Sequence, residues 1–152
     1  MKWAALITWI VTAGGGFIML GLWLQGGGMR QGEQPGRVIR PPLILGHFAL
    51  AATGLVLWII YVASDSDALA WIAFALLLVV ALLGFTMLAI WLQQRRAPTG
   101  VGATAGVAPG AGGGAVAPAE RRFPVPVVVA HGVIAAATLV LVLLTAIGVG
   151  ES

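Results

Sequence analysis

Four long apolar runs, separated by short polar segments, dominate the chain. They cover roughly residues 3–24, 42–63, 68–92 and 126–149. A helix needs about 20 apolar residues, each adding about 1.5 Å, to cross the hydrocarbon core of a bilayer. We therefore predict four transmembrane helices. The first run is too long for the apolar part of a secretory signal peptide, and no small-residue cleavage site follows it, so we expect this helix to be retained.

The basic residues of the polar segments are distributed unevenly. Seven arginines fall in the loops that follow the first and third runs, namely Arg30, Arg37, Arg40, Arg95, Arg96, Arg121 and Arg122. The other side of the membrane has only Lys2. Because Lys and Arg concentrate in cytoplasmic loops, we predict that both long loops are cytoplasmic and both termini outside. Pro42 and Pro126 begin the second and fourth helices, where a missing N–H costs little.

The composition supports a single integral membrane domain over residues 1–152. Hydrophobic residues make up 60% of the chain and charged residues 9%, whereas soluble domains carry about 25% charged residues. Residues 97–119 contain only Ala, Gly, Pro, Val and Thr, which predicts a flexible cytoplasmic linker. The absence of cysteine excludes disulfides and thiolate metal sites. The net charge of +3 comes from arginines in the loops. Because no basic patch alternates with aromatic residues, we do not expect nucleic-acid binding.

The first and third runs are two copies of one sequence. Residues 3–25 align with residues 71–93 without a gap, at an offset of 68, and 11 of 23 positions are identical. The second and fourth runs align more weakly at an offset of 84, with 7 identities in the 16 residues that start at Pro42 and Pro126. Tandem helix pairs of the same orientation relate by a pseudo-twofold axis along the membrane normal. We therefore predict an all-α four-helix transmembrane bundle with this symmetry.

The only two histidines of the chain, His47 and His131, occupy equivalent positions of the repeat inside apolar runs. Each follows its helix-initial proline by five residues, so both should lie about 7–8 Å from the cytoplasmic end. Ionisable side chains inside membranes normally face the bundle interior and mark function. Helices 2 and 4 should lie on a diagonal of about 11–14 Å, too wide for the imidazoles to touch. The gap suits a flat metal cofactor, and we predict haem b with both histidines as iron ligands.

Small and apolar residues surround the predicted ligands. Glycines would leave room for a macrocycle and methionines would pack on its edge, at Gly16, Gly46, Gly84, Gly132, Met19 and Met87. Arg40 and either Arg121 or Arg122 would pair with the haem propionates at the cytoplasmic surface. Each residue also has a simpler interpretation: glycines allow close helix packing, methionines fill the core, and arginines set topology. Trp23 and Trp91 are expected to be anchors at the membrane interface.

Two histidines on alternate helices of a four-helix membrane bundle resemble the arrangement in membrane cytochromes b. These include cytochrome b561-like proteins and the haem-bearing anchors of succinate dehydrogenases. The resemblance covers the helix arrangement and rests on His47 and His131. It implies one haem, electron transfer, and partners such as a quinone or the subunits of a respiratory complex. The bias towards Ala, Gly, Val and Arg further predicts a bacterial source, and therefore the bacterial inner membrane.

Three functions remain open from the sequence. The first is electron transfer by a one-haem protein near the cytoplasmic face, acting with a respiratory complex rather than as a stand-alone enzyme. The second is a cofactor-free accessory or scaffold subunit that docks through its glycine-rich faces and its linker. The third is a small transporter or proton relay that uses the histidine pair, although the spans lack the broken helices usual in transporters. A homo-oligomer is compatible with each of them.

Overall fold

The computed structural model describes residues 1–33, 39–96 and 119–149, and for residues 31–33 the backbone only. It contains four long helices: α1 (Lys2–Gln25), α2 (Pro41–Ser64), α3 (Asp67–Arg96) and α4 (Val125–Ala146). Two short 3-10 turns, Gly28–Glu33 and Ala119–Arg122, precede α2 and α4. The described part of the chain is all-α, as predicted, and each helix starts and ends within four residues of its predicted bounds.

All four helices are long and apolar enough to cross a membrane, so the chain is a multi-pass membrane protein. Both predicted helix-initial prolines lie in the first turns of α2 and α4, where their fixed φ suits the helix and no N–H partner is lost. The predicted linker falls outside the described residues except for Ala119, which is buried and begins the second 3-10 turn.

The helices form an up-down bundle in which sequence neighbours are also neighbours in space. Helix α2 packs against α3, α3 against α4, and α1 against both α2 and α4. Helices α1 and α3 therefore face each other across one diagonal, and α2 and α4 across the other. One end of the bundle holds the end of α1, the start of α2, the end of α3 and the start of α4. We call it the arginine end, because its flanking segments contain the arginines.

A dense apolar core fills the half of the bundle opposite the arginine end. Trp9 and Trp58 pack with ring centres 6.3 Å apart, and Tyr61 lies 4.7 Å from Trp58. The Trp58 Nε1–H donates to the carbonyl of Lys2 at 3.3 Å, and the Lys2 ammonium pairs with the Asp65 carboxylate. The tight α2–α3 turn thereby binds the start of α1 and closes this end.

A polar cluster closes the arginine end. The fully buried Glu120 carboxylate accepts hydrogen bonds through Oε1 from the Ile39 N–H at 2.8 Å and from Gln94 Nε2 at 2.7 Å. Trp91 Nε1–H donates to the Glu120 carbonyl at 3.1 Å. The segments that lead into α2 and α4 are therefore bound to each other and to the end of α3 through one acidic residue.

Trp23 and Trp91 do not face lipid, contrary to the prediction that they are interfacial anchors. Trp23 is 0% exposed and Trp91 is 4% exposed. Trp91 hydrogen-bonds Glu120, and Gly28 lies so close to Trp23 that a Cβ there would come within 2.1 Å of the indole. These tryptophans cap the bundle from inside because the short 3-10 turns fold back over the helix ends.

The buried positions recur along the chain at the offsets of the sequence match. Helix α1 buries Ala5, Trp9 and Trp23, and α3 buries the residues 68 positions later, Ala73, Leu77 and Trp91. Helix α2 buries Gly54, Trp58 and Tyr61, and α4 buries the residues 84 positions later, Thr138, Val142 and Thr145. Helix α3 also buries Ala70, Val80 and Gln94, whose counterparts 68 positions earlier are only partly buried, so the buried positions of α1 and α3 match in part.

Candidate functional site

The two histidines lie near each other, between the two closed ends of the bundle. His47 lies on α2 and His131 on α4, each five residues after the proline of its first turn. Their ring centres are 6.5 Å apart, and the ring planes are tilted by 53°. Both imidazoles therefore project across the α2–α4 diagonal towards the bundle axis.

Each imidazole is oriented by a backbone carbonyl of a neighbouring helix. His47 Nδ1 lies 3.1 Å from the carbonyl oxygen of Val80 on α3, and His131 Nδ1 lies 2.9 Å from that of Thr12 on α1. A carbonyl oxygen can only accept, so Nδ1 must carry the hydrogen in both contacts. In a neutral imidazole this leaves the lone pair on Nε2, the tautomer of many metal-binding histidines. Among the described residues, neither Nε2 has a hydrogen-bond partner.

The carbonyls that orient the histidines stand at matching places in the sequence. Thr12 and Val80 are separated by 68 residues, the offset that relates α1 to α3. These two acceptors could not be identified from the sequence, because a backbone carbonyl has no side-chain signature. The offset was the only available signal: positions 12 and 80 precede the matched Gly16 and Gly84 by one helical turn.

Three glycines lie against the imidazoles. A Cβ at Gly84 would lie 3.3 Å from His47 Cε1, and one at Gly16 would lie 3.4 Å from His131 Cε1. Gly15, which the sequence analysis did not single out, would place a Cβ 3.5 Å from His131 Nδ1. Each ring therefore rests on helix backbone, and a larger residue would push it away. Gly46 and Gly132 have no such contact, since a Cβ at either would meet nothing within 4 Å.

The methionines and arginines of the predicted site have different surroundings. Met19 and Met87 are half-buried and follow Gly16 and Gly84 by three residues, so they lie one turn nearer the arginine end. Arg40 is exposed immediately before α2. Arg121 donates from Nη2 to the carbonyl of Gln94 at 3.0 Å. That bond orients part of its guanidinium towards the end of α3.

The histidine layer is packed more openly than the layers on either side. On α1, no residue between Trp9 and Trp23 is buried. On α3, no residue between Val80 and Trp91 is buried. The first 13 residues of α2, 41–53, and of α4, 125–137, also include no buried residue. The inner faces of all four helices thus remain partly exposed at the depth of the histidines, between two sealed ends.

The donor set restricts the kind of metal that fits. No group of three or more His, Cys, Asp or Glu side chains occurs in the described ranges, so a bare zinc or iron ion would lack protein ligands there. Two imidazoles on opposite sides of one metal have ring centres about 6 Å apart, because a metal–nitrogen bond is about 2 Å long and the nitrogen lies about 1 Å from its ring centre. The observed 6.5 Å is close to this value. A metal cofactor held by this pair would have to supply the remaining ligands itself.

Comparisons with known protein families, with characterised proteins and with solved structures find no match to this chain.

Proposed function

We propose that the chain binds one haem b between His47 and His131 and serves in electron transfer. The single observation that carries the proposal is the pair of imidazoles, whose ring centres lie 6.5 Å apart and whose Nδ1 atoms are both bound to backbone carbonyls. The Nε2 atoms of His47 and His131 would hold the haem iron. Bound haem provides reversible one-electron chemistry, while the protein supplies ligands, orientation and an apolar environment.

A pseudo-twofold axis along the membrane normal would explain why the two half-sites match. The repeated sequence places one histidine, one orienting carbonyl and one close glycine in each half: His47 with Val80 and Gly84, and His131 with Thr12 and Gly16. The recurrence of buried positions at offsets of 68 and 84 supports the same relation. A ligand on such an axis would meet equivalent surroundings on both faces.

Two histidine ligands would favour electron transfer over substrate chemistry at the metal. If both imidazoles held the iron, they would keep oxygen and organic substrates from binding it. The residues of this chain would then hold the iron, fix the orientation of its ligands and keep water out. The backbone acceptors of Val80 and Thr12 would increase the basicity of their imidazoles.

The predicted orientation places the arginine end in the bacterial cytoplasm, by the distribution of Lys and Arg. The histidines then lie nearer the cytoplasmic face, and one haem could not carry an electron across a core about 30 Å thick. A membrane partner, such as a quinone or a redox subunit of a respiratory complex, would complete the path. This partnership belongs to the proposal and is tested separately from haem binding.

Removal of either ligand tests the proposal. The full chain, purified in detergent and supplied with haem b, should show the absorption spectrum of a six-coordinate bis-histidine haem. His47→Ala and His131→Ala should each abolish this spectrum, because the chain has no third histidine. Thr53→Ala is the matched control on α2, since the exposed Thr53 hydroxyl only donates to the Ala49 carbonyl of its own helix.

A colourless, folded protein that does not bind haem would overturn the proposal. The cofactor-free accessory function would then account better for the chain, and co-purification with a membrane complex would be its positive test. Bis-histidine absorption that survives loss of either histidine would also overturn the assigned ligands.

A further inference from the structure

The arginine end carries exposed arginines next to each of its four helices. Five arginines with described side chains are exposed there, and we call them the arginine rim: Arg30, Arg40, Arg95, Arg96 and Arg122. They belong to segments next to all four helices, because they follow α1, precede α2, end α3 and precede α4. Arg121 is not part of the rim, since its guanidinium donates to the Gln94 carbonyl.

The rim has no exposed carboxylate beside it among the described side chains. Glu120, the one acidic side chain described at this end, is fully buried and accepts hydrogen bonds from Ile39 and Gln94. The opposite end differs, because its Lys2 ammonium is paired with Asp65. No described carboxylate at this end therefore competes with an external anion for the exposed rim arginines.

The residue type points to phosphate as that anion. All seven basic residues of the two loops are arginine, whereas the only lysine of the chain lies at the other end. Topology requires positive charge, and lysine would supply it equally well. Arginine adds a planar fork of donors that can hold a phosphate through two hydrogen bonds. The Arg95 guanidinium is further held 4.9 Å above the Trp91 ring, which fixes its position at the edge of the bundle.

We propose that the arginine rim binds the phosphodiester headgroups of anionic phospholipids. The rim immediately flanks the membrane-spanning helices, where headgroup phosphates are concentrated, and basic clusters in this position are attracted to anionic lipids. The bound lipids would hold the ends of all four helices together at the end of the bundle that lies nearer the histidine layer. Arg40 and Arg122 are also among the predicted partners of the haem propionates, but this inference does not depend on haem binding, because the exposed rim would bind lipid phosphate in the haem-free protein as well.

Lipid titration of the purified full chain tests the proposal. Native mass spectrometry would measure binding of phosphatidylglycerol and of zwitterionic phosphatidylcholine with the same acyl chains. The wild type should bind phosphatidylglycerol more tightly, by on the order of 10-fold or more. Replacing Arg40, Arg95 and Arg122 together by Gln should remove this preference. Lys2→Gln at the opposite end is the matched control and should preserve it.

A second variant separates phosphate recognition from charge and guards against misfolding. Replacing the same three arginines by Lys keeps both the loop charge and the predicted topology. It should still weaken phosphatidylglycerol binding several-fold, because lysine cannot offer the two-pronged contact. Equal binding of both lipids by the wild type, or full retention of binding by the lysine variant, would overturn the proposal. Displacement of the lipid by inorganic phosphate at the same concentration would overturn it too, since it would indicate a site for free phosphate.

Discussion

Replacing Gly84 by alanine should separate the stability of the fold from the affinity for haem. The added Cβ would lie 3.3 Å from His47 Cε1, whereas carbon atoms make their best contacts at about 3.5–4.0 Å. The imidazole must therefore move away from α3 by a few tenths of an ångström. Its bond from Nδ1 to the Val80 carbonyl is 3.1 Å long, near the upper limit of about 3.2 Å for a good N–H···O bond. The same movement lengthens this bond and weakens the control of the ring.

The expected size of the effect follows from that hydrogen bond. A typical intramolecular hydrogen bond contributes about 0.5–1.5 kcal/mol. Since 1.4 kcal/mol corresponds to a tenfold change in a dissociation constant, weakening the bond should raise the Kd for haem by about 2- to 12-fold. Alanine is the better helix former by about 1 kcal/mol, so helix α3 itself should gain stability. The Gly84→Ala protein should thus bind haem less tightly without unfolding more easily.

Titration of haem into the apoprotein, followed by absorbance, measures the Kd for haem. Thermal unfolding of the apoprotein, followed by circular dichroism, measures the stability of the fold. Gly16→Ala should behave similarly, because its Cβ would lie 3.4 Å from His131 Cε1. Gly14→Ala is the matched control, since a Cβ there meets nothing within 4 Å. If all three variants bind haem as tightly as the wild type, the glycines do not position the histidines and this reasoning is refuted.

Two further predictions concern the closure of the arginine end. Glu120→Ala removes the carboxylate that accepts two buried hydrogen bonds, from the Ile39 N–H and from Gln94 Nε2. It should lower the free energy of unfolding by about 2–4 kcal/mol and therefore lower the unfolding temperature. An unchanged unfolding temperature would contradict the role of the polar cluster. Gly28→Ala would bring a Cβ within 2.1 Å of the Trp23 indole, and this overlap should cost about 1–3 kcal/mol. Gly21→Ala lies inside α1 and its Cβ would meet nothing within 4 Å, so it should raise stability by up to about 1 kcal/mol in the same unfolding assay. Equal destabilisation by both glycine variants would contradict the role of packing at Gly28.

The helices could be predicted from the sequence because lipid imposes a simple rule on it. Runs of about 20 apolar residues must satisfy their backbone groups internally, so they form helices. The bounds were then set by prolines at the starts of α2 and α4 and by polar residues at the turns. The inward faces were harder to predict, because a helix surrounded by lipid is apolar on every side.

The histidine pair was predictable because polar groups are rare inside apolar helices, and the repeat placed both at one depth. The short distance between the two rings and the identity of their backbone acceptors could not be predicted, because both depend on how closely the helices pack. The buried tryptophans were misjudged for a related reason. Trp23 and Trp91 stand near helix ends, where lipid-facing anchors usually occur, and only the 3-10 turns that fold over them make these positions internal.

The most direct test of the central claim is one pair of absorption spectra. The purified chain, loaded with haem b, would be recorded oxidised and after reduction by dithionite, beside His47→Ala and His131→Ala. The account predicts a six-coordinate bis-histidine spectrum in both oxidation states of the wild type and its loss in both variants. A wild-type protein without a bound haem spectrum, or variants that keep the wild-type spectrum, would contradict it.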